Sequence, residues 1–201
     1  MARHSRITHK EFKSFLDDST RALLTNCCGN RSKTADLADT VTEAAKKRLR
    51  ESRDAAEALE AIREIASNLL GCETMLLLRF DRKMDAYCPF WSFGVAAEKR
   101  SLIKALEEPA SYCAALGSTY IIGDLEDQNP SKHHPKVAVF VPIRHYGEIE
   151  AVLALLQFLP QKLGLDKIDN EVFRVLSEEA GSKLFCQTPA APPANSLERK
   201  S

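Results

Sequence analysis

The sequence predicts an α+β fold, a central antiparallel sheet of five to six strands flanked by helices, preceded by an N-terminal helical extension. Three observations carry this reading. From Lys136 to Phe158 the chain reads KVAVFVPIRHYGEIEAVLALLQF, two apolar, β-branched runs separated by a short Tyr146-Gly147 turn. From Thr34 to Leu70 there is no Pro or Gly, and apolar residues recur at helical spacing. Shorter strand-like runs stand at Thr74 to Phe80, Ala86 to Phe93 and Thr119 to Ile122, each bounded by turn residues.

Thr8-His9-Lys10-Glu11 has the form of a capping box, followed by Phe12, Phe15, Leu16, Leu23 and Leu24 on one helical face as far as Cys27-Cys28-Gly29-Asn30. The Thr34–Leu70 stretch carries the stripe Leu37, Val41, Ala45, Leu49 and then Leu59, Ile62, Ala66 and Leu70. It is either one long helix or two joined near Ser52-Arg53-Asp54, with Asp54 as N-cap. A continuous helix would be about 55 Å long at ~1.5 Å per residue, too long to bury its stripe against one small domain. Cover by a second copy is therefore expected, and residues 1–53 are assigned as a dimerisation segment whose removal should leave residues 54–187 folded and monomeric.

After Gly71 come the strand Thr74 to Phe80, the polar turn Asp81 to Asp85 and the strand Ala86 to Phe93, where Pro89 calls for an edge or a bulge. Two helical pieces follow, Ala96 to Leu106 and Pro109 to Leu116, then a short strand and the polar loop Gly123 to Pro135. In the central hairpin, closure by His145 and Glu148 would set Phe140 beside Leu153 and Ile143 beside Glu150. Both faces are then apolar, so the hairpin sits inside the sheet with layers on both sides. Asp166 or Asp169 caps the last helix, and the Pro/Ala-rich residues Thr188 to Ser201 read as a disordered tail.

Charge balances at +0 overall, but residues 1–53 are basic and residues 54–187 acidic. No apolar run approaches the ~18 residues that span a bilayer, and the N-terminus lacks a signal-peptide core, so a cytosolic protein with no membrane partner is expected. The six cysteines have no CxxC spacing and read as free thiols. The basic stretch Lys46 to Arg53 has no aromatic interleaving, and nucleic acid is not expected as a partner. His133-His134 reads as a solvated loop pair, so neither a metal nor a cofactor is expected.

The order of elements, with Met75 to Phe80 ending in Asp81, the Gly117 to Asp124 segment, Val141-Pro142-Ile143, Gly147-Glu148-Ile149 and the helix from Asp169 to Leu184, resembles a GAF domain over residues 54–187. Ala151 stands where that family usually has glycine. The resemblance implies a sensory or regulatory module with a ligand enclosed between the sheet, residues 96–116 and residues 123–135. The cyclic-nucleotide motif of the family, Asn-Lys-Phe-Asp-Glu, is not present, and Cys113 is followed by Ala114 rather than the His of bilin-bearing relatives. Cys113 lies near the catalytic cysteine of the family's free methionine sulfoxide reductases, with Cys88 as a resolving thiol, which gives an enzymatic alternative.

The expected ligand-binding set is Arg79, Phe90, Trp91, Tyr112, Cys113, Phe140 and Arg144, in which the guanidinium groups would hold an anionic group and the aromatic rings would line the cavity. The leading expectation is a non-catalytic regulatory module that binds a small molecule or a protein and acts on a downstream signalling partner through helix-mediated homodimerisation. A pocketless interaction scaffold is the other alternative.

Overall fold

A computed structural model describes residues 31–95, 100–123, 138–160, 162 and 164–185. The helix expected from Thr8, the Cys27-Cys28 end, the Gly123–Pro135 loop beyond Gly123, His133-His134 and the tail from Thr188 lie outside the described residues. Among the described residues the order is α1 (Arg31–Arg50), α2 (Ala55–Asn68), β1 (Cys72–Asp81), β2 (Ala86–Phe93), α3 (Arg100–Leu116), β3 (Tyr120–Ile122), β4 (Ala138–His145), β5 (Glu148–Phe158) and α4 (Lys167–Leu184). The five strands form one antiparallel sheet in the order β2-β1-β5-β4-β3. None of the described helices is long and apolar enough to cross a membrane.

The long helical stretch is two helices. Asp54 breaks it, with an extended backbone and a carboxylate that accepts from the Glu57 amide at 2.8 Å. Glu57 answers by accepting from the Arg53 amide at 2.9 Å, so both sides of the junction have partners for orphan donors. The break lets α1 fold back along α4 instead of projecting from the domain. Leu37, Val41, Ala45 and Leu49 are buried in the same cluster as Val172, Leu176 and Ala180 of α4. The two stripes from which a second copy was inferred therefore cover each other within one chain. Polar contacts fix the arrangement: Arg48 pairs with Glu64 of α2 at 2.6 Å, and Lys183 of α4 donates to the carbonyls of Arg50 and Ser52 at 3.0 and 3.3 Å. A lysine on those carbonyls satisfies and charge-complements the C-terminal end of α1.

At the other end of α4, Asp166 and Asp169 form a reciprocal capping box. Asp169 is buried and also accepts from Lys162 at 2.7 Å. Burial pushes its carboxyl above the ordinary range, against the pull of the Lys162 ammonium. Asp169→Ala is expected to cost about 2 kcal/mol, because it removes the half of the capping box that accepts from the Asp166 amide and leaves the Lys162 ammonium without its carboxylate. Urea denaturation checks this, and an unchanged midpoint would show that the box is dispensable.

The central hairpin closes as expected at His145 and Glu148, and Tyr146 and Gly147 both have positive φ, 50° and 87°, as a two-residue type I′ turn requires. The register beyond it differs from the simple alternation. A bulge between Ile143 and Arg144 sets Ile143 opposite Ala151 and Phe140 opposite Ala154, not Leu153. Without it Glu150 would face Ile143 in the main core; with it, Glu150 stays at the edge and pairs with Arg82 at 3.9 Å. The result is a clean division of faces. Val139, Val141, Ile143, Ala151, Leu153 and Leu155 join the core under α1, α2 and α4, while Phe140, Val152, Ala154 and Leu156 face α3.

Pro89 sits both on an edge strand and beside a bulge, since β2 skips Phe90 between the pairs Leu77–Trp91 and Leu78–Pro89. The two helical pieces expected around Pro109 are one helix, α3, with Pro109 inside it. The proline deletes one intrahelical donor. The helix continues because Leu106, Ala110 and Cys113, at i, i+4 and i+7, share one buried face on the sheet.

Candidate functional site

The face of the sheet under α3 is the place where the expected ligand would lie, and the side chains there meet directly. Cys113, fully buried, directs its Sγ at the Phe140 carbonyl at 3.3 Å and the Ser118 carbonyl at 3.4 Å. Leu76, Leu78, Tyr87, Val152, Ala154 and Leu156 complete an apolar floor against Leu106 and Ala110. Burial pushes the Cys113 thiol up to about 12, although the Tyr120 backbone amide pulls it down. A thiolate here would sit among apolar side chains with carbonyl oxygens at its sulfur, the opposite of the electropositive setting that activates a nucleophile.

At the rim of this layer the Tyr112 ring stands edge-on to Tyr120 at 4.8 Å, and Tyr120 lies 6.2 Å from Phe140. Arg144 reaches the same side: its guanidinium donates to the Gly117 carbonyl at the end of α3, at 2.6 Å, and to the Gly147 carbonyl at 3.3 Å. Arg144 is thus a tie between α3 and the hairpin turn. Its own carbonyl, on the other side of the strand, lies against Gly181 of α4 so closely that a Cβ on Gly181 would come within 2.0 Å of the oxygen.

The remaining expected site residues lie on the opposite face. Cys88 pairs with Arg79 in the β1–β2 ladder, one position out of phase with Tyr87, which faces α3. Cys88 and Cys113 are therefore on opposite sides of the sheet and cannot act as attacking and resolving thiols on one adduct. Trp91 packs against the core under α2 and α4, and Arg79 lies over the rings of Phe185 at 5.0 Å and Phe90 at 5.7 Å. The seven residues expected to line one cavity fall into two groups. Tyr112, Cys113, Phe140 and Arg144 gather beside α3; Arg79, Phe90 and Trp91 gather on the α4 side.

Four contributors were not anticipated. Phe185, just beyond α4, is the centre of the second group, with its ring centroid 6.5 Å from Phe90 and 5.9 Å from His145, and Tyr146 lies tilted against His145 at 4.3 Å. Gly181 was also missed, although a lone glycine inside a helical pattern is a signal of close approach.

The thiol assignment has a direct consequence. Treatment of the native chain with a soluble maleimide is expected to modify Cys88, which is partly exposed and near Met84, well before Cys113. Peptide mapping of the product checks the order.

No curated protein matches the chain by sequence. Among solved structures, it is similar to the GAF domain of an Acinetobacter phosphoenolpyruvate-protein phosphotransferase, with a TM-score of 0.56 and 10% identity over 72% of this chain and 90% of that one. The corresponding domain from Coxiella burnetii gives a TM-score of 0.53 and 14% identity over 73% and 92%. The free methionine-R-sulfoxide reductase of Neisseria meningitidis gives 0.51 and 16% over 75% and 92%. At these identities the likeness is one of fold. The GAF domain family model matches residues 54–184, the whole of α2 through α4, and the chain belongs to the GAF domain family.

Proposed function

We propose that the protein is a non-catalytic regulatory GAF module, which recognises a small molecule or a protein partner on the α3 side and passes the event to α4 and α1 through Arg144. The observation that carries this reading is the double engagement of Arg144. Its side chain holds the end of α3, and its backbone bears on Gly181 of α4. A shift of α3 changes the strand position against which α4 is seated, and α4 in turn holds α1 by the Lys183 contacts. The receiver of the signal is a second copy of the chain or a downstream signalling protein.

Arg144→Met tests the coupling, because it removes the side-chain bonds to the Gly117 and Gly147 carbonyls and leaves the backbone carbonyl that bears on Gly181. Amide exchange is expected to rise in residues 177–185 of α4 as well as around Gly117. A rise confined to Gly117 and its neighbours would contradict the coupling. The reductase alternative has less support, since it needs an accessible thiolate at Cys113 and a resolving thiol on the same face.

A further inference from the structure

Of the eight large hydrophobic side chains exposed among the described residues, four stand within one short stretch: Tyr112 and Leu116, half-exposed on α3, and Ile121 and Ile122, 42% and 37% exposed on β3. They adjoin one another. Tyr112 and Leu116 are one turn apart on α3, and the Tyr112 ring stands 4.8 Å from Tyr120 of β3. Tyr120 and Ile122 pair with Phe140 and Ala138, so both face α3, whereas Ile121 pairs with Val139 and faces the α4 side. Residues 109–122 hold no Asp, Glu, Lys or Arg, in a chain that is 28% charged.

β3 is also an end strand of the sheet, with β4 on one side and no strand among the described residues on the other. The opposite end strand, β2, is blunted by Pro89 and the bulge at Phe90; β3 has no proline, bulge or charge. We propose that β3 pairs antiparallel with β3 of a second copy about a two-fold axis at Ile121, joining two five-stranded sheets into one of ten strands. Charge and symmetry favour a second copy as the occupant. A two-fold contact sets each group near its own duplicate, which repels wherever the surface is charged, and this surface carries no charge. The register places Ile121 against the partner's Ile121 and Tyr120 against the partner's Ile122, β-branched and aromatic pairs of the kind that stabilise sheets. With the axis perpendicular to the sheet, both α3 helices lie on one face, and their Tyr112 and Leu116 side chains flank the joined strands. A contact of this extent is below standard interface size, so a Kd on the order of 10–100 µM is expected. It supplies the protein partner of the α3 side proposed above, resting on that reading for its consequence but not for the contact itself.

Sedimentation of the full chain from about 5 to about 500 µM tests the pairing, with a monomer–dimer equilibrium as the expected result. Ile121→Lys sets two ammonium groups face to face at the axis and should weaken the dimer at least about tenfold. An equimolar mixture of Ile121→Lys and Ile121→Glu chains should regain it as a mixed pair. Leu116→Lys, on the helix and half-exposed, should weaken it as well, so the outcome does not hang on one variant folding. A monomer throughout the range would overturn the proposal. So would a dimer insensitive to Ile121→Lys, or a mixture of the two charged variants that stays monomeric. The Arg144 coupling is read separately, by amide exchange in residues 177–185, so either idea can fail alone.

Discussion

Gly181→Ala is expected to destabilise the protein by about 3 kcal/mol, near the top of the range for overpacking. The added methyl would stand 2.0 Å from the Arg144 carbonyl oxygen and 2.7 Å from its carbon, both backbone atoms that no rotamer change can move away. Relief requires α4 to lift from β4, and α4 is also the element that buries the α1 stripe. The gain in helix propensity from glycine to alanine, about 1 kcal/mol, does not offset this. Gly164→Ala is the matched control: its Cβ would meet nothing within 4 Å, so it should be neutral or slightly stabilising. Equal midpoints for the two variants in chemical denaturation would show that α4 is not seated on the hairpin.

Removal of residues 1–53 is expected to give an unfolded or aggregating chain, reversing the expectation from sequence of a folded monomeric domain. The family match begins at residue 54, but the core does not. Leu37, Val41, Ala45 and Leu49 are at most 6% exposed and share a cluster with α4 and α2. Truncating one of the two leucines to alanine costs about 2–5 kcal/mol, and losing the whole stripe is comparable to the 5–15 kcal/mol that typically holds a domain together. Leu49→Ala alone should retain the fold and lower its stability by about 3 kcal/mol. Far-UV circular dichroism and sedimentation of residues 54–201 check the larger effect. A cooperatively melting monomer would mean that α1 is an accessory.

Periodicity and turn chemistry made most of the architecture legible. The strand at residues 86–93 was read to the residue, and the central hairpin and the Asp54 and Asp166 caps were visible because they depend on local signals. Two features depended on tertiary context instead. The β-bulge beside Arg144 has no glycine or other local mark, and it shifts every partner of β4 beyond it by one residue. The cover of the α1 stripe could not be read from α1, since whether an amphipathic helix meets its own chain or another depends on the bend at Asp54 and the position of α4. The site was less legible for the same reason. Aromatic and arginine residues stand out in the sequence, but which face each occupies follows from strand register, and the two faces separate Cys88 and Arg79 from Cys113 and Arg144.

The non-catalytic reading rests on Cys113 as a packing residue. With its thiol pushed up to about 12 by burial, Cys113 stays in the thiol form at about pH 8. The direct measurement is the rate of Cys113 alkylation by iodoacetamide in the native full chain at about pH 8, followed by mass spectrometry and compared with a short unstructured cysteine peptide, whose thiol titrates near ~8.5. Modification at least a hundredfold slower than the peptide, rising to the peptide rate only in denaturant, is the expected result. Modification of Cys113 as fast as the peptide would contradict the assignment and restore the thiol-enzyme reading.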